Sequence, residues 1–163
     1  MSSSVFNEVH ELLSREGAYL DEQRWDDWLA LFTEDCEYWL PAWKGEHELV
    51  DDPRTEVSMI YYDRRSRLED RVLRIRSGIS AASTPLPRTW HQVTNIRLGE
   101  RHDNELVVYA QWQAKSYQVD QTSTFYGRYE YRLMQVAHEW RIRKKKIVLI
   151  NDVIEGVLDI YQI

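Results

Sequence analysis

The chain has 163 residues, 43% of them hydrophobic and 29% charged, with a net charge of −6. That is enough chain for one sizeable core, and the negative balance argues against a dedicated nucleic-acid binder. The one cysteine, Cys36, excludes an internal disulfide and any Cys-rich zinc or iron–sulfur centre.

Seven Trp and ten Tyr are many for this length. Such aromatic density builds a core, a pocket or a protein interface. The charge is uneven. Residues 1–60 carry 15 acidic and 4 basic side chains, and residues 61–163 carry 12 and 17. The acidic part is expected to meet basic surface, within the chain or across subunits, unless both are simply solvated. Residues 1–7 show no basic and apolar leader pattern, and no apolar run approaches a membrane span. A cytoplasmic protein without membrane or nucleic-acid partners is therefore expected. Composition shows no linker or repeat, so residues 1–163 are expected to form a single domain.

Val5, Val9, Leu12 and Leu13 make a helical stripe, with Ser4 as the expected N-cap. Asp21 is the expected cap of a second helix, carrying Trp25, Trp28, Leu29 and Phe32. A short strand is predicted over 37–40, ended by Pro41. Cys36 alternates there with Tyr38 and Leu40, which reads as a buried small hydrophobe. Residues 42–53 read as an acidic loop, and residues 57–62 are apolar but ambiguous. Leu68, Val72 and Ile75 form the stripe of a third helix, which Gly78 stops. Six arginines share that stretch: Arg64, Arg65, Arg67, Arg71, Arg74 and Arg76. Residues 80–87 form a Pro-containing loop.

The rest is predicted to be strand. Over 88–98, Trp90, Thr94, Ile96 and Leu98 are expected on one face, with His91, Asn95 and Arg97 on the other. A turn over 99–104 leads to a strand whose inner row is Leu106, Val108, Ala110, Trp112 and Ala114. After a turn near 119–121, Phe125, Gly127, Tyr129, Tyr131 and Leu133 form the next inner row. In the last strand Trp140 and Ile142 fall on one parity, and Ile147 and Leu149 on the other. A β-bulge within 144–146 reconciles them. Helices first and long antiparallel strands after make an α+β domain, with N-terminal helices packed on a strongly curved, mainly antiparallel sheet. Such a sheet forms a cone around its helix.

The five histidines form no metal-binding spacing, and no nucleotide loop or nucleophile elbow is present. A cone mouth needs only one tuned group for general acid–base work. The candidates are His91, Asp26 and Asp27, with Tyr109, Tyr129 and Tyr131 as lining. The competing reading puts His91 in an interface or surface pair and the two aspartates in solvent. For the arginines, the interleaved Glu69 and Asp70 favour ion pairing at protein surfaces over phosphate binding.

Several segments carry a family resemblance. They are WDDWLALFTEDCEYWLP at 25–41, YYDRRSRLEDRVLRIRSG at 61–78, PLPRTWHQVTNIRL at 85–98, FYGRYEYRL at 125–133 and KKKIVLINDVIEGVLDIYQI at 144–163. In this order the chain resembles the small (β) subunit of aromatic-ring-hydroxylating dioxygenases, within the benzoate, toluate and anthranilate group. The resemblance implies a cystatin-like cone of the nuclear transport factor and ketosteroid isomerase type. It implies a large α subunit as partner in an α3β3 hexamer, served by an NADH-dependent reductase. It places the Rieske [2Fe–2S] cluster and a mononuclear iron in that partner. In this chain it implies no cofactor, no metal ligand and no catalytic residue. The holoenzyme would dihydroxylate an aromatic carboxylate in aromatic catabolism. Arg64, Arg65, Arg71, Arg88, Trp90 and His91 then become candidate subunit contacts. The alternatives are a stand-alone cone-fold isomerase or dehydratase with an open mouth, and a scaffold of some other complex.

Overall fold

The computed structural model describes residues 3–152 and 156–163. Residues 1–2 of the predicted leader-free terminus, and 153–155 of the last family-like segment, lie outside the described residues. Three helices precede or interrupt the sheet: α1 (Ser3–Asp21), α2 (Trp25–Ala30) and α3 (Arg65–Arg76). The strands are β1 (Phe32–Pro41), β2 (Trp43–Gly45), β3 (Glu48–Leu49), β4 (Ser58–Tyr62), β5 (Arg88–His102), β6 (Glu105–Gln118), β7 (Gln121–Val136) and β8 (Glu139–Leu149). Six of them form one sheet in the order β4-β1-β8-β7-β6-β5, antiparallel except for the β1–β8 pair. This is the expected α+β arrangement.

The helices form where apolar residues recur at helical spacing. Val9, Leu13 and Leu20 of α1, Trp25, Trp28 and Leu29 of α2, and Leu68, Val72 and Ile75 of α3 are all buried. Gly78 follows α3 at φ +68°, a left-handed position that suits glycine and stops the helix as predicted. Neither expected N-cap acts as one. Ser4 lies inside α1 and donates to Glu8, while α2 starts after Arg24 with no side-chain cap. Asp21 turns instead toward β5. Phe32 is not helical but begins β1, which is longer than the predicted strand because it pairs with both β4 and β8. Within the expected acidic loop, β2 and β3 form a small hairpin. Trp43 Nε1 pins it to the sheet by donating to the Leu149 carbonyl at 2.7 Å.

The predicted inner rows of β6 and β7 are buried without exception. Two strands change phase. In β5 the ladder slips between Thr94 and Arg97, and Asn95 takes φ +51°. His91 and Val93 therefore face the helices together with Ile96 and Leu98, while Trp90 and Thr94 face outward. This corrects the expected β5 faces, which assumed an unbroken alternation. In β8 the extra residue is Arg143, unmatched between Leu133↔Ile142 and Arg132↔Lys144. That is one residue ahead of the predicted bulge. It turns Trp140, Ile142, Ile147 and Leu149 to the same side and takes Lys145 in with them.

Cys36 sits fully buried on β1 beside Tyr38 and Leu40. Burial, acting against the nearby Arg65 charge, pushes its thiol up to about 12. Roughly one molecule in ten thousand then carries the thiolate at pH 8, and only the thiolate reacts. The native chain is expected to resist labelling by Ellman's reagent at pH 8 and to label fully in denaturant. Rapid labelling of the folded chain would contradict this burial.

Candidate functional site

The cone interior holds an ion pair that no periodicity argument singled out. Glu16 continues the α1 stripe after Val9 and Leu13, at a position where an apolar residue belongs. Its Oε1 accepts from Lys145 Nζ at 2.7 Å, and its Oε2 accepts from the Tyr131 hydroxyl at 2.7 Å. Both charged residues are essentially excluded from solvent, Glu16 at 2% and Lys145 at 1% exposure. The ammonium also lies 4.3 Å from the centre of the Tyr129 ring and 5.6 Å from that of Tyr38. Burial pulls the Lys145 pKa down, and the Glu16 carboxylate opposes that shift. Burial, with the Glu16 charge next, holds the phenols of Tyr38, Tyr129 and Tyr131 well above their ordinary range. They remain neutral hydroxyls, and the Tyr131 hydroxyl serves as a donor.

A second polar link lies between α1 and β5. Asp21 Oδ1 meets His91 Nδ1 at 2.5 Å and accepts from Thr89 at 2.9 Å, while Oδ2 accepts the His91 backbone N–H at 2.9 Å. Gly17 makes this approach possible, because a Cβ there would stand 3.2 Å from the His91 Cβ. The geometry is that of an oriented histidine. Its Nε2 is buried without a partner among the described residues. Across the ladder Ala114 stands opposite His91 and Trp112 opposite Val93, and both are buried. The other acid–base candidates lie elsewhere. Asp26 pairs with Arg76 and Asp27 with Arg24 at the surface, and Tyr109 faces outward.

The six expected contact residues divide into three kinds. Arg71 and His91 work inside the chain. Arg71 Nε donates to Asp159 Oδ1 at 2.9 Å, with a second bond to Oδ2, and Asp159 is buried. Asp159 also caps the final turn through the Ile160 N–H, so Arg71 docks the C-terminal segment on α3. Arg65 braces α3, donating to Glu69 at 3.1 Å and to the Phe32 carbonyl at 3.1 Å. Arg64, Arg88 and Trp90 are exposed. Arg64 chelates its neighbour Asp63, whereas Arg88 lies over the Tyr117 ring at 4.7 Å. Trp90 stands on the outer sheet face at 49% exposure.

Among the described residues no group of three or more His, Cys, Asp or Glu side chains is placed to hold a metal ion. Nor, among the described residues, is any helix long and apolar enough to cross a membrane. A family model described as ring hydroxylating beta subunit matches residues 15–156. The chain is 38% identical over 160 residues to the 2-halobenzoate 1,2-dioxygenase small subunit of Burkholderia cepacia, covering 98% of this chain and 97% of that one. It is 38% identical to the anthranilate 1,2-dioxygenase small subunit of Acinetobacter baylyi over the full length of both. The solved β subunit of benzoate 1,2-dioxygenase from Burkholderia mallei superposes with a TM-score of 0.81 at 31% identity, covering 96% of each chain.

Breaking a buried ion pair on one side strands a charge, at a cost of about 3–5 kcal/mol. Lys145→Met and Glu16→Gln should each lower stability in urea melts by that order. The double variant should be at least about 2 kcal/mol more stable than the sum of the two losses allows. Strictly additive losses would show that the two groups do not interact.

Proposed function

The chain belongs to the ring-hydroxylating dioxygenase β-subunit family, and on that footing we propose that it is the structural small subunit of an oxygenase that dihydroxylates an aromatic carboxylate. The observation that carries the reading is the full-length match to small subunits of enzymes named for 2-halobenzoate, anthranilate and benzoate. All three compounds are aromatic carboxylates. The partner is a large α subunit in an α3β3 assembly in the cytoplasm, supplied with electrons by an NADH-dependent reductase. That partner holds the Rieske [2Fe–2S] cluster and the mononuclear iron, which supply electron transfer and oxygen activation.

The interior of this chain supports a supporting rather than a reacting role. A stand-alone isomerase or dehydratase needs a polar group free to meet its substrate, and here Glu16, Lys145 and Tyr131 satisfy one another in the buried interior. A general acid–base group must come within hydrogen-bond reach of its substrate. The His91–Asp21 pair instead ties α1 to β5. Its work is positional, and the exposed Arg64, Arg88 and Trp90 are left to meet other chains.

Co-expression with the large subunit tests the assignment. The expected result is one complex, whose native mass exceeds that of either chain alone. A stable monomer that ignores the large subunit would overturn it. Arg88→Glu and Trp90→Ala should weaken that assembly while leaving the melting curve of the isolated chain unchanged. Arg71→Glu should instead lower the stability of the isolated chain by about 1–3 kcal/mol, since it strands the buried Asp159.

A further inference from the structure

We propose that the cleft between α3, the 81–83 turn and the end of β6 is a peptide-binding site, which holds the chain's own segment Leu158–Ile163 through side chains alone. The segment leaves and returns as a unit while the sheet stays folded. The proposal stands on this chain's geometry and is independent of the assembly reading above.

The segment is as buried as a core strand. Ile160 and Ile163 are fully excluded from solvent, Tyr161 is 2% exposed, and all three pack in the main apolar cluster. Yet its backbone joins no strand. Among the described residues it makes no backbone–backbone hydrogen bond outside its own final turn, where the Gln162 N–H donates to the Asp159 carbonyl at 2.9 Å. Asp159 Oδ1 accepts the Ile160 N–H at 2.8 Å, and Gln162 Oε1 accepts the Asp159 N–H at 3.0 Å. The segment therefore carries its own turn with it.

Each framing element offers it one polar group. Arg71 of α3 forks onto the Asp159 carboxylate. The buried Ser83 hydroxyl meets the Tyr161 hydroxyl at 2.9 Å, and the buried Ser116 hydroxyl of β6 accepts from Gln162 Nε2 at 3.4 Å. The frame is tied together without the segment. Gln118 Nε2 donates to the carbonyls of Ala82 and Pro85, at 3.1 and 2.6 Å, which fastens the turn to β6. Thr84 Oγ1 donates to the Gly78 carbonyl at 3.3 Å, which fastens it to the residue that stops α3. An open groove of about 390 Å³, bordered by Val157, Gln162, Ser116 and Phe125, runs beside the segment and gives it a way out. A segment without ladder bonds, in a frame that stands without it, opens locally at less than the cost of global unfolding. The vacated seat then presents a cation and two buried hydroxyls. It suits a peptide with an acidic residue, a tyrosine two positions on, and apolar residues between and after.

Hydrogen exchange on the full chain reads the opening. The amides of Ile160–Ile163 should exchange at least about a hundredfold faster than those of β6 and β7, at a rate that barely changes in low urea. A fluorescein-labelled peptide of residues 157–163 then reads the site. It should bind the full chain carrying Asp159→Asn, whose own segment is weakened, at least about tenfold more tightly than it binds the unaltered chain. Adding Arg71→Gln should remove that binding. Protection of Ile160–Ile163 equal to that of β6 and β7, with the same urea dependence, would overturn the proposal. So would an Asp159→Asn chain that melts cooperatively and takes up no peptide. Exchange on the unaltered chain decides the matter if Asp159→Asn does not fold.

Discussion

The structure depends on a buried charge that its central strand cannot avoid. β8 lies between β1 and β7, and Trp140, Ile142, Ile147 and Leu149 all pack in the core. Trp140 and Ile142 occupy one parity, Ile147 and Leu149 the other. A regular strand would leave one pair in water, at about 1.5–3 kcal/mol for each side chain. The unmatched Arg143 brings both pairs inside. The same slip swings Lys145 into the core. An unpaired ammonium there is untenable, and Glu16 with Tyr131 resolves it. The bulge, the ion pair and the buried carboxylate on an otherwise apolar helix stripe are thus one solution. The pair is weak evidence of stability in itself. A β8 shifted by one residue would set Lys144 or Lys146 opposite the same Glu16, so register is held by the apolar residues on either side, which a slip would turn outward.

The opposite edge follows the same logic with softer means. β5 slips at Asn95, so His91 and Val93 before the slip, and Ile96 and Leu98 after it, all face α1. His91 is then a polar group turned inward, and Asp21 at the end of α1 meets it. Gly17 supplies the close approach. The two carboxylates on the inner side of α1, Glu16 and Asp21, each receive the polar side chain that a bulge has turned inward. Helix and sheet are therefore matched residue by residue, beyond what apolar contact alone requires.

Much of this fold was legible as pattern. The inner rows of β6 and β7 alternate without interruption, and the stripe of α3 has helical spacing, so both could be read directly. A parity conflict in β8 announced a bulge, to within one residue. What stayed hidden was local. Nothing in the β5 sequence marks Asn95 as a slip, so Trp90 and His91 were assigned to the wrong faces. Asp21 looks like a helix cap because aspartate often is one, and only the returning strand shows what it binds. Glu16 was legible in principle, as an acid interrupting the Val9, Leu13, Leu20 stripe, but its partner became visible only once the bulge had moved Lys145. Of the six expected contact residues, Arg71 and His91 turned out to have partners far along their own chain, a pairing that spacing cannot reveal.

These internal matches also set the character of the cone interior. In a cone-shaped domain the space under the helix is the natural place for a ligand, yet here each charged group in that space is answered by another group of the same chain. Among the described residues the neutral groups left over are His91 Nε2, the Tyr38 hydroxyl, the Thr33 hydroxyl and the indole N–H groups of Trp28 and Trp112, all shielded from solvent. On the outer sheet face Arg88, Arg97, Lys115 and Lys146 lie against aromatic rings, with Glu130 between Tyr109 and Lys146 in one cross-strand row. A face of exposed aromatic rings and arginines, carried on a frame whose buried charges are paired, has the composition of a protein interface.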